Sequence, residues 1–411
     1  MMSFPILQGP QISALFQLFA NSGIEARLVG GCVRDSLLGL PIHDIDIAVA
    51  APPQMVVNAL RRHNVKTIPT GIQFGTITAV VGDMAFEVTS LRRDCKTDGR
   101  HPVVEFGTDW LEDASRRDFT INALYLDADG RMFDFFGGKD DLANGVIRFI
   151  GDPAMRIKED YLRILRYYRF LATHGRGMPA AIPALRQMRK GLGNLSTERI
   201  QREIIKLLKA RNPLQAIDRM IADAIFSVLY DADPDVTLLQ NLIQLEAHFS
   251  IPDSSANEFP LRRFFTLFRS YSQRDGNFYQ KNFRLSCKQT RALETIESII
   301  HVDDLRWVYH KYGKEHATDW IFLRTSMHDE GRISFCETAL AKLSDQGDNH
   351  FPLNGADLLK INIKPGRALG EMLDQTERWW VVNNCLPTKD DCLSFCASLV
   401  GAEKENPLIN L

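Results

Sequence analysis

Leu28-Val29-Gly30-Gly31-Cys32-Val33-Arg34-Asp35, followed shortly by His43-Asp44-Ile45-Asp46-Ile47, is the stretch on which the reading of this chain turns. Its order is apolar strand, glycine turn, short helix, acidic strand. Alternate residues of a strand share a face. Asp44 and Asp46 therefore aim two carboxylates at one point, while Ile45 and Ile47 go into the core. Carboxylates that close repel each other unless a cation sits between them, and hard oxygen donors at this spacing suit Mg²⁺. Just upstream, Gly30-Gly31 lets the backbone approach a phosphate that Arg34 can neutralise. A metal pair beside a phosphate cradle implies phosphoryl or nucleotidyl transfer. Either half alone is a weak signal; joined in this order they are a strong one.

Working outward, residues 11–22 carry helical periodicity, and residues 27–30 and 44–49 read as strands. Pro52-Pro53 opens a helix to about His63. The runs Gly75–Val81 and Ala85–Leu91 form a hairpin about Gly82-Asp83. From about residue 140 strand signals nearly vanish, so a small α/β head precedes a long helical body. At 411 residues two to four domains are expected. The absence of an apolar run of spanning length argues against a membrane protein, and the N-terminus shows no signal-peptide pattern. Seven scattered cysteines without Cys-x-x-Cys pairs read as reduced thiols of a cytoplasmic protein.

The net charge of −2 argues by itself against a nucleic-acid binder, but its distribution does not. Residues 156–209 hold 13 Lys and Arg against 4 Asp and Glu, whereas residues 1–155 hold 14 against 19 and residues 210–411 hold 22 against 28. A basic band behind an acidic, metal-ready head is what a polyanion needs if its end must reach the metal.

Four further constellations are candidates for chemistry. Glu87, mid-strand in Phe86-Glu87-Val88, would cost energy in a half-buried strand unless partnered, and is read as the third carboxylate of the metal site. Arg116-Arg117-Asp118-Phe119-Thr120-Ile121-Asn122-Ala123 offers guanidinium forks for triphosphate oxygens and an Asp or Asn for a ribose hydroxyl. Glu159-Asp160-Tyr161-Leu162-Arg163 is expected within one helix from Ile157 to about Leu171, with Asp160 and Arg163 as i, i+3 neighbours on one face. Ser196 or Thr197 is expected to cap a basic helix whose Arg199, Arg202 and Lys206 could meet RNA phosphates. Residues 262–291 interleave arginines with aromatics, a mix that can stack on bases, but the phenylalanines recur at helical spacing and are read as core.

Together these motifs resemble the nucleotidyltransferase superfamily that includes DNA polymerase β. More closely, they resemble the bacterial, class II branch of tRNA nucleotidyltransferases and the related bacterial poly(A) polymerases. The match is dense from Arg27 to about Leu208. It implies a polymerase-β-like α/β head at residues 1–137, then an all-α neck (138–209), body (210–285) and tail (286–411), the tail binding tRNA. It implies addition of C, C and A to the tRNA 3′ end from CTP and ATP, with Mg²⁺ held by Asp44, Asp46 and Glu87 and no obligate protein partner. Gly30, Gly31, Arg34, Arg117, Asp118 and Asn122 would hold the sugar and phosphates. Asp160 and Arg163 would read the base, and Arg166 would belong to the nucleotide-binding set. Cytosine and adenine both present an amino donor beside a ring-nitrogen acceptor, matching a carboxylate and a guanidinium. Guanine and uracil invert that pattern and leave polar groups unpaired.

Asp94–Pro102 resembles the family's mobile loop that helps switch from C to A addition. Phe74 stands where relatives often carry His before Gly-Thr. His328-Asp329 lacks the further ligands of a His-Asp phosphohydrolase domain. Poly(A) polymerase is the alternative reading, but the strand Gly75–Val80 has no arginine and the C-terminus is not basic. Enzymes adding only CC or only A share the same head motifs. A binding protein with a dead head would require a broken acid set, and all three acids are present.

Overall fold

The protein is described by a computed structural model covering residues 4–42, 44–96, 103–250, 260–328, 332–345, 347, 349–361 and 363–405. Its first elements are α1 (Pro10–Asn21), β1 (Ala26–Val29), α2 (Gly31–Leu37), β2 (Ile45–Val49) and α3 (Pro53–Arg62). Strands β3 (Lys66–Gly71), β4 (Thr76–Val81) and β5 (Met84–Ser90) follow, and β4 and β5 pair antiparallel out to Val81 opposite Met84. This is the hairpin expected about Gly82-Asp83. A separate pair, β6 (Arg92–Lys96) and β7 (Val103–Phe106), contains Asp94–Lys96 and so takes up the start of the expected loop; residues 97–102 lie outside the described residues. Then come α4 (Trp110–Ser115), β8 (Leu124–Leu126) and β9 (Met132–Asp134).

Among the described residues, seven strands form one sheet in the order β3-β4-β5-β2-β1-β8-β9. Strand β1 lies near its middle with all four residues buried, including Arg27, whose guanidinium stacks over Trp110 at 4.0 Å and Phe133 at 3.5 Å. Such stacking covers a charge that an apolar strand could not otherwise hold. Strands β2 and β5 run parallel, and the register sets Asp46 opposite Glu87. In β5, Phe86 and Val88 are buried while Glu87 is exposed. The acid therefore avoids the burial cost that the sequence suggested.

The chain continues through α5 (Gly138–Ala143), β10 (Val146–Ile147), α6 (Pro153–Glu159), α7 (Leu162–His174), β11 (Arg176–Gly177), α8 (Ile182–Met188), α9 (Thr197–Leu208), α10 (Leu214–Ala222) and α11 (Ile225–Tyr230). The single helix expected from Ile157 to Leu171 is two helices. Asp160 is extended (φ −154°, ψ 107°) and ends α6, and α7 starts two residues later. Asp160 and Arg163 therefore do not share a helix face. The Asp160 carboxylate accepts the Leu162 N–H at 3.1 Å, a local side-chain bond that competes with helix continuation. Ser196 is the N-cap residue of α9 but makes no capping hydrogen bond. Its hydroxyl is engaged by Glu198, whose carboxyl is held below its ordinary range by its own backbone N–H and by Ser196.

The chain divides into two compact units, residues 1–234 with 282–284, and residues 235–281 with 285–411. The second is helical. Leu242, Leu245, Trp320, Ile321 and Phe322 pack in its core, and Phe264, Phe265 and Phe268 are fully buried as expected. The burial of Arg262 was not expected. It is 1% exposed, with Glu246 at 3.4 Å and Asp319 at 3.7 Å, so carboxylates meet its charge inside the core. Cys392, Cys396 and Trp380 are buried, and Trp379 stacks on Phe395. Among the described residues, no helix is long and apolar enough to cross a membrane.

Within the first unit, contacts of Arg156 and Arg166 help tie the helices to the sheet region. The Arg156 guanidinium donates to the carbonyls of Arg116 and of Arg117, the latter at 2.6 Å. Arg166 of α7 donates through Nε to Asp118 Oδ2 at 2.6 Å. Burial opposes the charge of Asp118. The Arg166 charge, with hydrogen bonds from Asn122, Arg166 and the Phe119 N–H, nevertheless brings its pKa from 3.8 to about 2. At about 1.4 kcal/mol per pKa unit, that carboxylate contributes roughly 2 kcal/mol of stability. The contribution is fully present above the unfolded value and is lost as pH falls through the folded one.

Two measurements check this packing. At Gly138 an added Cβ would fall 2.1 Å from the Thr120 carbonyl oxygen, beside the turn that carries Asn122. Gly138→Ala is expected to cost about 1–3 kcal/mol in urea unfolding; an unchanged midpoint would show that the approach is not tight. Asp118→Asn is expected to lose about 2 kcal/mol at neutral pH. Its deficit against the unsubstituted protein should hold steady down to about pH 4 and roughly halve near pH 3. A deficit independent of pH across that range would rule out the charge as its source.

Candidate active site

The turn from β1 into α2 is made by Gly30, at φ +75° and ψ −124°, a conformation that L side chains rarely adopt. A Cβ there would also approach Arg117 Nη1 at 3.6 Å. The turn opens onto a cavity of about 640 Å³ lined by Gly30, Gly31, Arg34, Asp44 and Asp46 on one side. Arg117, Asp118 and Asn122 line it from the segment after α4, and Asp160, Arg163 and Arg166 from α7 and the residues before it. Eleven residues expected from sequence thus meet at one place. Glu87 does not line the cavity and stands beside Asp46 on the neighbouring strand.

Most polar groups here are held by partners. Arg34 is 8% exposed and donates to Asp35 through Nε at 2.9 Å and to Asn122 Oδ1 through Nη1 at 2.6 Å. Asn122 in turn donates to Asp118 Oδ1 at 3.0 Å, so Arg34, Asn122, Asp118 and Arg166 form one chain of hydrogen bonds. Arg117 is fixed from behind by Asp113 at 3.1 Å and by the Tyr125 hydroxyl, to which it donates at 3.1 Å. Asp113 is 1% exposed; burial opposes its charge, yet Arg117 and Arg116 hold its carboxyl below the ordinary range. Pre-held guanidiniums lose little freedom when they meet a phosphate.

Arg163 donates through Nη1 to Glu159 and to the Arg156 carbonyl, each at 2.6 Å. Asp160 Oδ2 accepts from Arg199 Nη2 at 2.7 Å. Both groups keep unused hydrogen-bonding capacity, since each carboxylate oxygen has two lone pairs and a guanidinium has five N–H donors.

Asp46 has its pKa raised to about 6 by burial and by the charges of Glu87 and Asp44, against the pull of Arg117. Glu87 and Asp44 thus each oppose the charge of Asp46, and a cation would relieve it. The donor set is all hard oxygen, which fits a divalent ion of the magnesium type. Among the described residues, no three His, Cys, Asp or Glu side chains stand close enough to enclose an ion by themselves. Substrate oxygens and water would complete any coordination shell.

The cavity also includes residues that the motif reading did not place there: Asp35, Leu162, Arg169 and Phe170. Phe170 is 2% exposed and lies beneath three guanidiniums, with Arg169 at 4.0 Å, Arg34 at 5.2 Å and Arg166 at 5.5 Å from its ring. The i, i+3 recurrence of Arg163, Arg166 and Arg169 is the sequence signal that could have found Arg169. Arg199 and Lys206 line the cavity as well. Asp329 lies outside the described residues, as do the side chains of Asp94 and Cys95.

Residues 26–148 match the family described as the poly A polymerase head domain. Residues 179–237 match the one described as the probable RNA and SrmB-binding site of polymerase A. The chain is 33% identical over 399 residues to CCA tRNA nucleotidyltransferase 1, mitochondrial, of Danio rerio, covering 92% of this chain and 89% of that one. It is 32% identical over 360 residues to a CCA-adding enzyme of Limosilactobacillus fermentum, covering 86% and 88%. Among solved structures, it is similar to the Bacillus stearothermophilus CCA-adding enzyme in complex with CTP. That similarity has a TM-score of 0.76 and 25% identity over 98% of this chain and 100% of the other. With the acid pair, the glycine turn and the arginine-lined cavity in one place, these similarities make the chain a member of the tRNA nucleotidyltransferase/poly(A) polymerase family, in its CCA-adding branch.

Proposed function

We propose that the protein adds C, C and A in order to the 3′ end of tRNA, from CTP and ATP and without a nucleic-acid template. The observation that carries this reading is the single cavity holding an acid pair, a phosphate-ready glycine turn, fixed arginines and an Asp–Arg pair suited to a base. The relatives' names and the CTP-bound neighbour support it.

Asp44 and Asp46, with Glu87 beside them, would hold Mg²⁺, which when bound lowers the pKa of a hydroxyl and neutralises phosphate oxygens. The protein's own part is orientation. Arg34, Arg117 and Arg166 face the triphosphate with their guanidiniums already fixed, and the Gly30-Gly31 backbone approaches it without side chains. Asp118 and Asn122 meet the ribose. The tRNA terminal 3′-hydroxyl loses its proton to water and its oxygen forms a bond to the α-phosphorus as the bond to the bridging oxygen breaks and pyrophosphate leaves. Asp160 accepts from the amino group of cytosine or adenine, and Arg163 donates to the neighbouring ring nitrogen. In this reading residues 1–137 carry the transfer chemistry, 138–209 read the base, 210–285 form a helical body and 286–411 hold the tRNA. The free thiols at Cys32, Cys287, Cys336, Cys385, Cys392 and Cys396 support a reducing, cytoplasmic setting.

The test is extension of tRNA transcripts ending before CCA, after C and after CC, with each nucleoside triphosphate separately and Mg²⁺. Ordered addition of C, C and A that then stops is expected. Long A tails on any RNA end would instead mean a poly(A) polymerase, and addition limited to one step an enzyme of split specificity. Asp46→Ala should reduce transfer to background while leaving tRNA affinity within about twofold; full turnover in that variant would end the metal assignment. Asp160→Ala should relax discrimination against UTP and GTP by roughly a hundredfold, and unchanged discrimination would remove it from base reading.

A further inference from the structure

Arg199, Arg202 and Lys206 form what the sequence presents as one basic stripe on α9, open to an RNA backbone. The structure divides them. Arg199 and Lys206 line the nucleotide cavity, while Arg202 does not. Between the two, on the same helical face, Glu203 is 5% exposed and accepts from Arg169 Nε at 2.6 Å, with Arg166 at 3.8 Å. The inner face of α9 is therefore occupied with the side chains of the cavity, and its first turn delivers Arg199 Nη2 to Asp160 Oδ2 at 2.7 Å.

Asp160 needs such a partner. It lies in the extended break between α6 and α7, so no regular helix fixes its side chain. One carboxylate oxygen is set by the Leu162 N–H at 3.1 Å. With that bond alone the group could still turn about the oxygen so held. A guanidinium on the second oxygen fixes the plane of the carboxylate and hence the direction of its remaining lone pairs.

We infer that Arg199 is a specificity-determining positioning residue, which acts on base choice by orienting the Asp160 carboxylate and does not serve as an anchor for the tRNA backbone. The inference rests on the assignment of Asp160 as a reader of the base. A carboxylate held in one plane meets an amino group well and faces the carbonyl of uracil or guanine lone pair to lone pair. A carboxylate free to turn relieves that clash. Loss of Arg199 should therefore help the wrong nucleotide more than it harms the right one.

The experiment measures single-turnover incorporation of CTP, ATP, UTP and GTP onto tRNA ending before CCA and after CC, together with tRNA affinity. The proteins compared are the unsubstituted chain, Arg199→Ala, Arg199→Lys, Asp160→Ala and the double variant. Because the Arg199 and Asp160 side chains are 40% and 33% exposed, the single variants are expected to fold. Arg199→Ala should lower discrimination against UTP and GTP about tenfold and leave tRNA affinity within twofold. Arg199→Lys should recover part of the discrimination. The double variant should discriminate no worse than Asp160→Ala, as expected of two groups acting through one interaction. Weakened tRNA affinity with unchanged discrimination would overturn the inference, and so would additive losses in the double variant. If Asp160→Ala relaxes discrimination and Arg199→Ala does not, the positioning role alone falls. If Asp160→Ala leaves discrimination intact, the reading on which it rests falls as well.

Discussion

The ion pair between Asp118 and Arg166 is the constraint on which the site depends. One partner follows the helix that carries Asp113; the other stands on α7, a helix outside the sheet. Sheet and helices each supply half of the cavity, and neither half is useful unless the two are held at a fixed separation. A buried carboxylate facing a guanidinium does this better than apolar contact, because it has direction and a low tolerance for displacement. Asn122 extends the same chain of bonds to Arg34, so the group nearest the glycine turn is aligned by a helix that is distant in sequence.

Electrostatic economy shapes the rest. The cavity gathers several guanidiniums, which would repel one another if left bare. Acids paired with them, Asp35, Asp113 and Glu203, together with the face of Phe170, moderate that repulsion. Conversely, Asp46 lies where burial and neighbouring carboxylates disfavour its charge. One side of the cavity is thus short of positive charge and the other well supplied with it. This is the polarity that the proposed transfer would call for, with a metal at one end and phosphates and a base along the other.

What could be read in the chain, and what could not, follows from the range of each interaction. The Asp44 and Asp46 pairing, the hairpin and the Pro53 start of α3 depend on strand period and proline geometry, both of which are local. The segment Arg117–Asn122 was likewise legible because its chemistry is contained in six residues. The break at Asp160 was hidden, since Ile157, Ile164, Leu165 and Leu171 continue a helical pattern across it, and the side-chain bond to Leu162 that ends α6 has no periodic signature. The partner of Arg199 lies 39 residues away, and nothing in the neighbouring sequence points to it. The burial of Arg262 was illegible for a similar reason, its carboxylates coming from helices well separated along the chain.

The parallel pairing of β2 with β5 carries one more implication. Asp46 and Glu87 are neighbours through register alone; no bond or shared turn links them. Because strand faces alternate, deleting one residue early in β5 would bring an apolar side chain beside Asp46 and turn the carboxylate toward the interior. Insertions into the loops between the strands carry no such penalty so long as the ladders re-form. The chain can therefore drift in length at its loops, yet it is intolerant of a single-residue frameshift within the seven residues of β5.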